Sequence, residues 1–224
     1  MLHTGPRPDI DQAGPVRSVP WWAVVSAICA PVTVLAATVL GQWLYTRPYN
    51  PVAQTMSVLA GVAGRAAEVV TVGFMIAAAC HFAMAHGLRT LPRISRFILA
   101  AAGTCGMILA LARQTNETLT CIHLTATGAG AILMAIWPLS TIASGAPICR
   151  ARLAVPATIV LSSLLLWLGF EALHGPALGL AERVCVLAET AWPIVIALGV
   201  RQVRATADSA AIATETASEP ATVG

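Results

Sequence analysis

The chain has 224 residues, of which 57% are hydrophobic and only 10% charged, with a formal net charge of +3 and a mean hydropathy of +0.77. About a quarter of the residues of an ordinary soluble domain are charged, so this composition excludes a soluble enzyme and a disordered hub and places the chain in a bilayer. All thirteen basic residues are arginine. They are too few and too scattered for a nucleic-acid footprint, so the expected partners are the lipid bilayer and molecules dissolved in it, with no nucleic acid.

Residues 1–20 contain Pro6, Pro8, Asp9, Asp11 and Pro15 and lack the apolar core and small-residue cleavage site of a secretory signal; they are expected to form a cytoplasmic N-terminal tail. A helix that crosses the bilayer needs about 20 mainly apolar residues. Six stretches qualify, at about 21 to 45, 58 to 85, 95 to 112, 118 to 142, 153 to 173 and 179 to 200. The expected fold class is all-α, a polytopic bundle of six transmembrane helices over residues 21–203. Arg7 and Arg17, the Arg89/Arg93/Arg96 loop, the Arg150/Arg152 loop and Arg201/Arg204 all fall on one side. The positive-inside rule makes that side cytoplasmic, with both termini on it and the protein multi-pass in the inner cell membrane. Residues 204–224 are small, polar and acidic, and predict a disordered cytoplasmic tail.

Trp21, Trp22, Trp43, Tyr45 and Tyr49 bracket the first span as interfacial belts do. Trp137-Pro138 and Trp192-Pro193 recur near the cytoplasmic ends of spans four and six, a weak internal repeat in which proline can bend a helix. Gly175 with Gly179, and Gly61, Gly64, Gly128 and Gly130, read as close-packing positions. The six cysteines have no metal-binding spacing and behave as small hydrophobes. A bond between Cys121 and Cys185 stays open, because both can face the same side of the membrane. No metal and no cofactor is implied.

Ionisable residues inside a span cost several kcal/mol each, roughly 2.5 to 3.5 by insertion scales, and mark functional sites by default. Arg65 and Glu68 share a face of span two and, at about 1.5 Å rise per residue, fall roughly 10 to 15 Å below its outer end. Glu182, Arg183 and Glu189 lie in span six, Glu182 and Glu189 on one face. His123 sits one turn into span four, either as a satisfied interior histidine or as part of a site. Arg113, Glu117, Glu171 and His174 mark outer helix ends. The inward halves contain almost nothing ionisable except His81 and His86. This asymmetry predicts a polar cavity between spans two, three, four and six, open toward the outer face, with Thr46 to Ser57 folded over its mouth. Pro48 and Pro51 disfavour a continuous helix there.

One reading is that these charges neutralise one another and set helix register. The other counts three intramembrane glutamates against two arginines. One carboxyl is left without a partner, and a carboxyl isolated in apolar surroundings is most stable as the neutral acid. Glu68 is then the expected proton donor, with Glu182, Glu189 and His123 as its catalytic companions. Arg65, Arg113, Arg183 and Trp192 are the expected substrate-binding residues.

NPVAQTMSVLAG (Asn50 to Gly61) followed by Arg65, IHLTATGAG running into WPLS (Ile122 to Ser140), and GLAERVCVLAETAWP (Gly179 to Pro193) together resemble the actinobacterial branch of a six-helix bacterial membrane family of unknown function. In length and buried acids the chain is also similar to the membrane-bound terpene cyclases of bacterial indole-sesquiterpene and diketopiperazine-terpene pathways. That resemblance implies an acid that protonates an alkene or epoxide of a farnesyl-type chain, cyclisation of the cation, and removal of a proton by a base. The DDxxD motif of ionisation-initiated cyclases is missing from the sequence.

Two functions follow. One is an intramembrane enzyme acting on an isoprenoid or lipid-like substrate, most concretely an acid-initiated terpene cyclase of secondary metabolism. The alternative is a transporter or lipid-handling protein that uses the same charges for a head group or a proton. GxSxG, HExxH and GxxxxGK[ST] are absent, so these motif-defined enzyme classes have no support. Oligomeric state is not encoded in any of these features. Reporter fusions after Arg93 and after Thr115 should report the cytoplasm and the exterior respectively; the same compartment for both would reject the topology.

Overall fold

The computed structural model describes residues 19–61 and 63–218; beyond Gln202 only Ser209 has a described side chain. The chain is all helical. Helices α1 (Trp21–Leu44), α2 (Met56–Gly61), α3 (Arg65–Gly87), α4 (Arg93–Leu111), α5 (Glu117–Ser140), α6 (Ala151–His174) and α7 (Leu178–Ser218) follow in order, with two short 3-10 turns between α5 and α6. All but α2 contain a segment long and apolar enough to cross a membrane, α7 using Leu178–Gln202 for it. The N-terminal tail, residues 1–18, lies outside the described residues, as do residues 219–224.

Prolines and glycines punctuate the elements. Pro20 precedes α1 and Pro92 precedes α4, where the missing N–H of proline costs no helical hydrogen bond. Asn116 caps α5, its side chain accepting from the Leu119 N–H at 2.9 Å. Pro31, Pro138, Pro156 and Pro193 lie within helices, as membrane helices tolerate.

The six long helices form a ring in chain order. α1 packs on α3, α3 on α4, α4 on α5, α5 on α6 and α6 on α7, and α7 returns to α1. Lipid offers helices no hydrophobic gain on association, so close packing of small residues must hold them together. The α1–α3 seam shows this: a Cβ added at Gly73 would overlap Ala37, one at Gly41 would fall 2.5 Å from Val70 Cγ2, and one at Gly87 would fall 2.5 Å from Ala23 Cβ. Of the glycines expected at packing positions, a Cβ added at Gly130 would fall 3.2 Å from Cys105 Cβ and Gly179 packs on a loop, whereas a Cβ at Gly64 or Gly128 would meet nothing within 4 Å. At the arginine-rich end the fully buried Trp137 anchors an apolar cluster with Leu88, Leu99 and Ile196. Its Nε1 donates to Ser95 O at 2.9 Å, and Ser95 Oγ donates to Ser140 O at 2.7 Å. Helix α6 is the least covered, with 17% of its apolar window buried, and presents Leu166, Phe170 and Leu173 outward.

Three expectations are corrected. The predicted continuous span from 58 to 85 is instead two helices: α2 ends at Gly61, Gly64 takes φ +145°, a conformation that favours glycine, and the spanning helix starts at Arg65. The tail predicted to be disordered from 204 is helical as far as Ser218, because its repeated alanines, the best helix formers, extend α7 past the membrane. Cys121 and Cys185 are not bonded; all six cysteines are free, Cys121 exposed and Cys185 buried.

The α1–α3 seam yields a direct test. Gly73→Val inserts two methyls and a Cβ where Ala37 already stands, and should lower stability by about 1 to 3 kcal/mol, read as a lower melting temperature in detergent with helix content unchanged.

Candidate functional site

Residues 45–55 leave the helical ladder between α1 and α2, so their backbone polar groups need partners from elsewhere. Part of the supply is local. Asn50 Oδ1 accepts from Val52 N–H at 2.9 Å and Gln54 Oε1 accepts from Asn50 N–H at 2.8 Å. The rest comes from the spans. Arg183, near the start of α7, donates through Nη1 to Pro51 O at 2.8 Å and Gln54 O at 3.1 Å, and through Nη2 to the Tyr49 hydroxyl, over whose ring its Cζ sits 5.7 Å from the centroid. Burial pushes the Tyr49 phenol above its ordinary pKa, so it stays a neutral hydroxyl that directs its proton at the Gln54 and Thr55 carbonyls. Leu180 N–H donates to Val52 O at 3.0 Å. Gly179 lets this happen, because a Cβ there would overlap Gln54 O and stand 2.6 Å from Pro51 O.

The short helix α2 is pinned at three points. Met56 N–H donates to Glu182 Oε2 at 2.6 Å, Ser57 Oγ pairs with His123 Nε2 at 2.8 Å, and Arg113 Nε donates to Ala60 O at 3.1 Å. A helix this short leaves most of its N–H and C=O groups without helical partners, and α7, α5 and the α4–α5 turn each satisfy one end or face of it.

Beneath α2 lies a cavity of about 130 Å³ enclosed by the ring. One water needs about 10 to 15 Å³ on the same measure, so several water-sized groups or a run of methylenes fit. Its wall is mainly apolar, with Val34, Phe74, Leu109, Met134, Leu168 and Val186 among its residues; the polar groups are Ser57, His81, Thr127, Glu182, Glu189 and Thr190. His81 Nδ1 faces Ala77 O at 2.8 Å and is thus the protonated nitrogen of a neutral ring. Glu189 is 4% exposed. Its Oε1 has no hydrogen-bond partner, and the Cys185 thiol lies beside the carboxyl one helical turn away. Neither Glu182 nor Glu189 forms an ion pair among the described residues.

The residues expected at the site separate into two groups. Glu182, Glu189 and His123 converge at or behind the cavity wall, and the shared face of Glu182 and Glu189 is as the spacing indicates. Arg65 and Glu68 do not join them. They occupy the first turn of α3 and are exposed, because the break before Gly64 moves the start of that helix to Arg65; neither lines the cavity. Arg113 and Arg183 are bound to backbone carbonyls of the cap and do not line the cavity. Trp192 packs against the apolar cluster at the opposite end of the bundle, its Nε1 unpartnered. The cavity wall is mainly apolar, since the arginines turn outward to the cap. Ser57 and His81 were not expected at the site. His81 stood out in the sequence only as a rare ionisable residue of the inward half, and nothing near Ser57 signalled its histidine 66 residues away. Among the described residues no group of three or more His, Cys, Asp or Glu side chains could hold a metal.

No curated protein and no solved structure matches the chain. A family model does match, over residues 27–199, which takes in all of the ring and the cap except the first turns of α1 and the last part of α7. The chain therefore belongs to the family described as "protein of unknown function (DUF998)".

Proposed function

We propose that this protein is an intramembrane enzyme that acts on an isoprenoid or lipid-like substrate held in the central cavity, with Glu189 as the general acid. The observation that carries this reading is the buried Glu189 carboxyl, with one oxygen lacking any partner, in the wall of a mainly apolar cavity. A carboxylate fixed for structure would be hydrogen-bonded or paired, as Glu182 is to the Met56 N–H. Glu189 instead has a free oxygen for a substrate. Arginine, which would hold such a carboxyl ionised, is committed to the cap.

In its most concrete form the reaction is an acid-initiated terpene cyclisation of bacterial secondary metabolism. The Glu189 O–H adds its proton to a terminal alkene or opens an epoxide of the chain. The apolar wall excludes water while the cation is attacked by an internal double bond, and loss of a proton restores neutrality. The small cavity and the apolar residues around it favour a folded hydrocarbon chain over a charged head group. A lipid-handling or transport role needs the cavity but gives the unpartnered carboxyl oxygen no task. The arginine-rich end is taken as cytoplasmic, in the inner membrane, on the distribution of Arg89, Arg93, Arg96, Arg150 and Arg152.

Membranes containing the protein, incubated with a panel of farnesylated acceptors and their terminal epoxides, should yield ring products detectable by mass spectrometry. Glu189→Gln keeps the volume and removes the acidic proton. It should cut turnover by about 100-fold or more, the usual contribution of general acid catalysis, with unchanged abundance. Glu182→Leu should lower abundance instead, since it removes the acceptor that holds the Met56 N–H. Full turnover in Glu189→Gln, or acyclic starting material returned unchanged by the wild type across the panel, would reject the assignment.

A further inference from the structure

The other unusual group in the cavity wall is Ser57. Its Oγ lies 2.8 Å from His123 Nε2, and both residues are buried, 7% and 4% exposed. The arrangement has three layers. Ser57 lines the cavity while His123 does not, so the imidazole stands behind the hydroxyl. Behind the imidazole, His123 Nδ1 faces Leu109 O at 2.8 Å and Ala112 O at 3.1 Å. Carbonyls can only accept, so in the neutral ring Nδ1 carries the hydrogen and Nε2 presents its lone pair. The Ser57 hydroxyl must therefore donate to Nε2, the polarity of a nucleophile facing its base, with the two carbonyls as the group that orients the base. A histidine serving only to fasten α2 could as well donate to a serine lone pair; the pair of carbonyls at the end of α4 excludes that tautomer.

We infer that Ser57 is an acyl-accepting nucleophile activated by His123, and that the cavity takes an ester of a long-chain acid. This goes beyond the protonation chemistry assigned to Glu189 and uses different residues, at the capped end of the same cavity. The GxSxG elbow is absent from the sequence, but such pairs are defined by geometry and role and recur on unrelated folds without it. The Ser57 Oγ lone pair attacks the ester carbonyl carbon, its proton passes to His123 Nε2, and the carbonyl π pair moves onto oxygen. Collapse restores the carbonyl and breaks the bond to the alcohol oxygen, which leaves with the proton from Nε2. Acyl-Ser57 remains. Water or a second alcohol, deprotonated in turn by His123, attacks that ester and releases the acid or a new ester together with the free Ser57 hydroxyl. The mainly apolar wall suits the acyl chain, and the cap positions its carbonyl end near Ser57.

The test uses the full chain in its membrane and a long-chain alkyl fluorophosphonate, which loses fluoride to an activated serine, with its methyl analogue as comparison. Peptide mapping should find the phosphonyl adduct on Ser57, formed faster by the long-chain probe, and Ser57→Ala should remove it. His123→Gln should slow labelling by about 100-fold or more, the contribution of a general base, in the fraction that still inserts and elutes as the wild type does, whatever melting temperature is lost with this anchor of α2. Should that variant fail to fold, heat-denatured wild type decides: it should lose the adduct, because a serine parted from its base does not displace fluoride. An adduct absent from wild-type Ser57, an unchanged rate in folded His123→Gln, or equal labelling of the denatured wild type would each overturn the inference. Ring formation without labelling removes the nucleophile alone. Labelling that persists in a Glu189→Gln protein, with no ring product from any wild-type incubation, removes the cyclase alone.

Discussion

Non-helical backbone at membrane depth must find its hydrogen bonds inside the protein, and most of the ionisable chemistry at one end of this bundle answers that requirement. The segment from Tyr49 to Gly61 interrupts the helical ladder over the mouth of the ring. Arg183, Glu182, His123 and Arg113 come from three different parts of the chain, and each meets a backbone or hydroxyl group of that segment. An unsatisfied amide or carbonyl in apolar surroundings costs a few kcal/mol, about 1 to 3 by protein mutational data, so four such anchors together are comparable to the stability of a small domain. The cap is consequently part of the bundle, and Gly179 is the position where α7 and the cap touch backbone to backbone.

This changes the meaning of the charges. Counting three acids against two arginines treats them as partners for one another. In the folded chain the arginines bind carbonyls, Glu182 binds an amide, and Glu68 stands exposed on the surface. Glu189 alone is left with a buried oxygen that nothing in the protein meets. A bundle that satisfies so many backbone groups with long, costly side chains yet leaves a carboxyl oxygen unpartnered in a cavity wall has placed that polar deficit where a small molecule can reach it.

The number of spans, their order and the presence of a cap were legible in the sequence, because each rests on long apolar runs, on arginine-bearing loops and on Pro48 and Pro51. The shared face of Glu182 and Glu189 was legible too, since a spacing of seven needs only helical geometry. What failed was depth and partner. Whether residues 58–85 form one helix or two turns on the backbone at Gly64, and that single left-handed glycine carries Arg65 and Glu68 from the expected midplane to the surface. Adjacent Glu182 and Arg183 point about 100° apart on a helix of 3.6 residues per turn, so one reaches the cavity and the other the cap; local sequence cannot say which. Ser57 and His123 meet across 66 residues, and no local pattern encodes such a meeting. The alanine-rich stretch after Arg204 reads as polar tail or as helix with equal ease, and helix propensity prevails as far as Ser218.

The ring order has a consequence for biosynthesis. Each helix packs on the one made just before it, and the circle closes only when α7 reaches α1. During synthesis the first five spans can therefore accumulate as an open arc, while the segment that will become the cap has emerged long before its main anchors. Glu182, Arg183 and Glu189 all lie on α7, the last of the six long helices to leave the ribosome. Until it arrives, the carbonyls of Pro51, Val52 and Gln54 must stay at the interface among water and head groups, and the interior space has no fourth wall. Insertion of α7 is thus the step that completes the cavity wall, anchors the cap and delivers both buried acids, so that a chain truncated before it would be a membrane protein without a site.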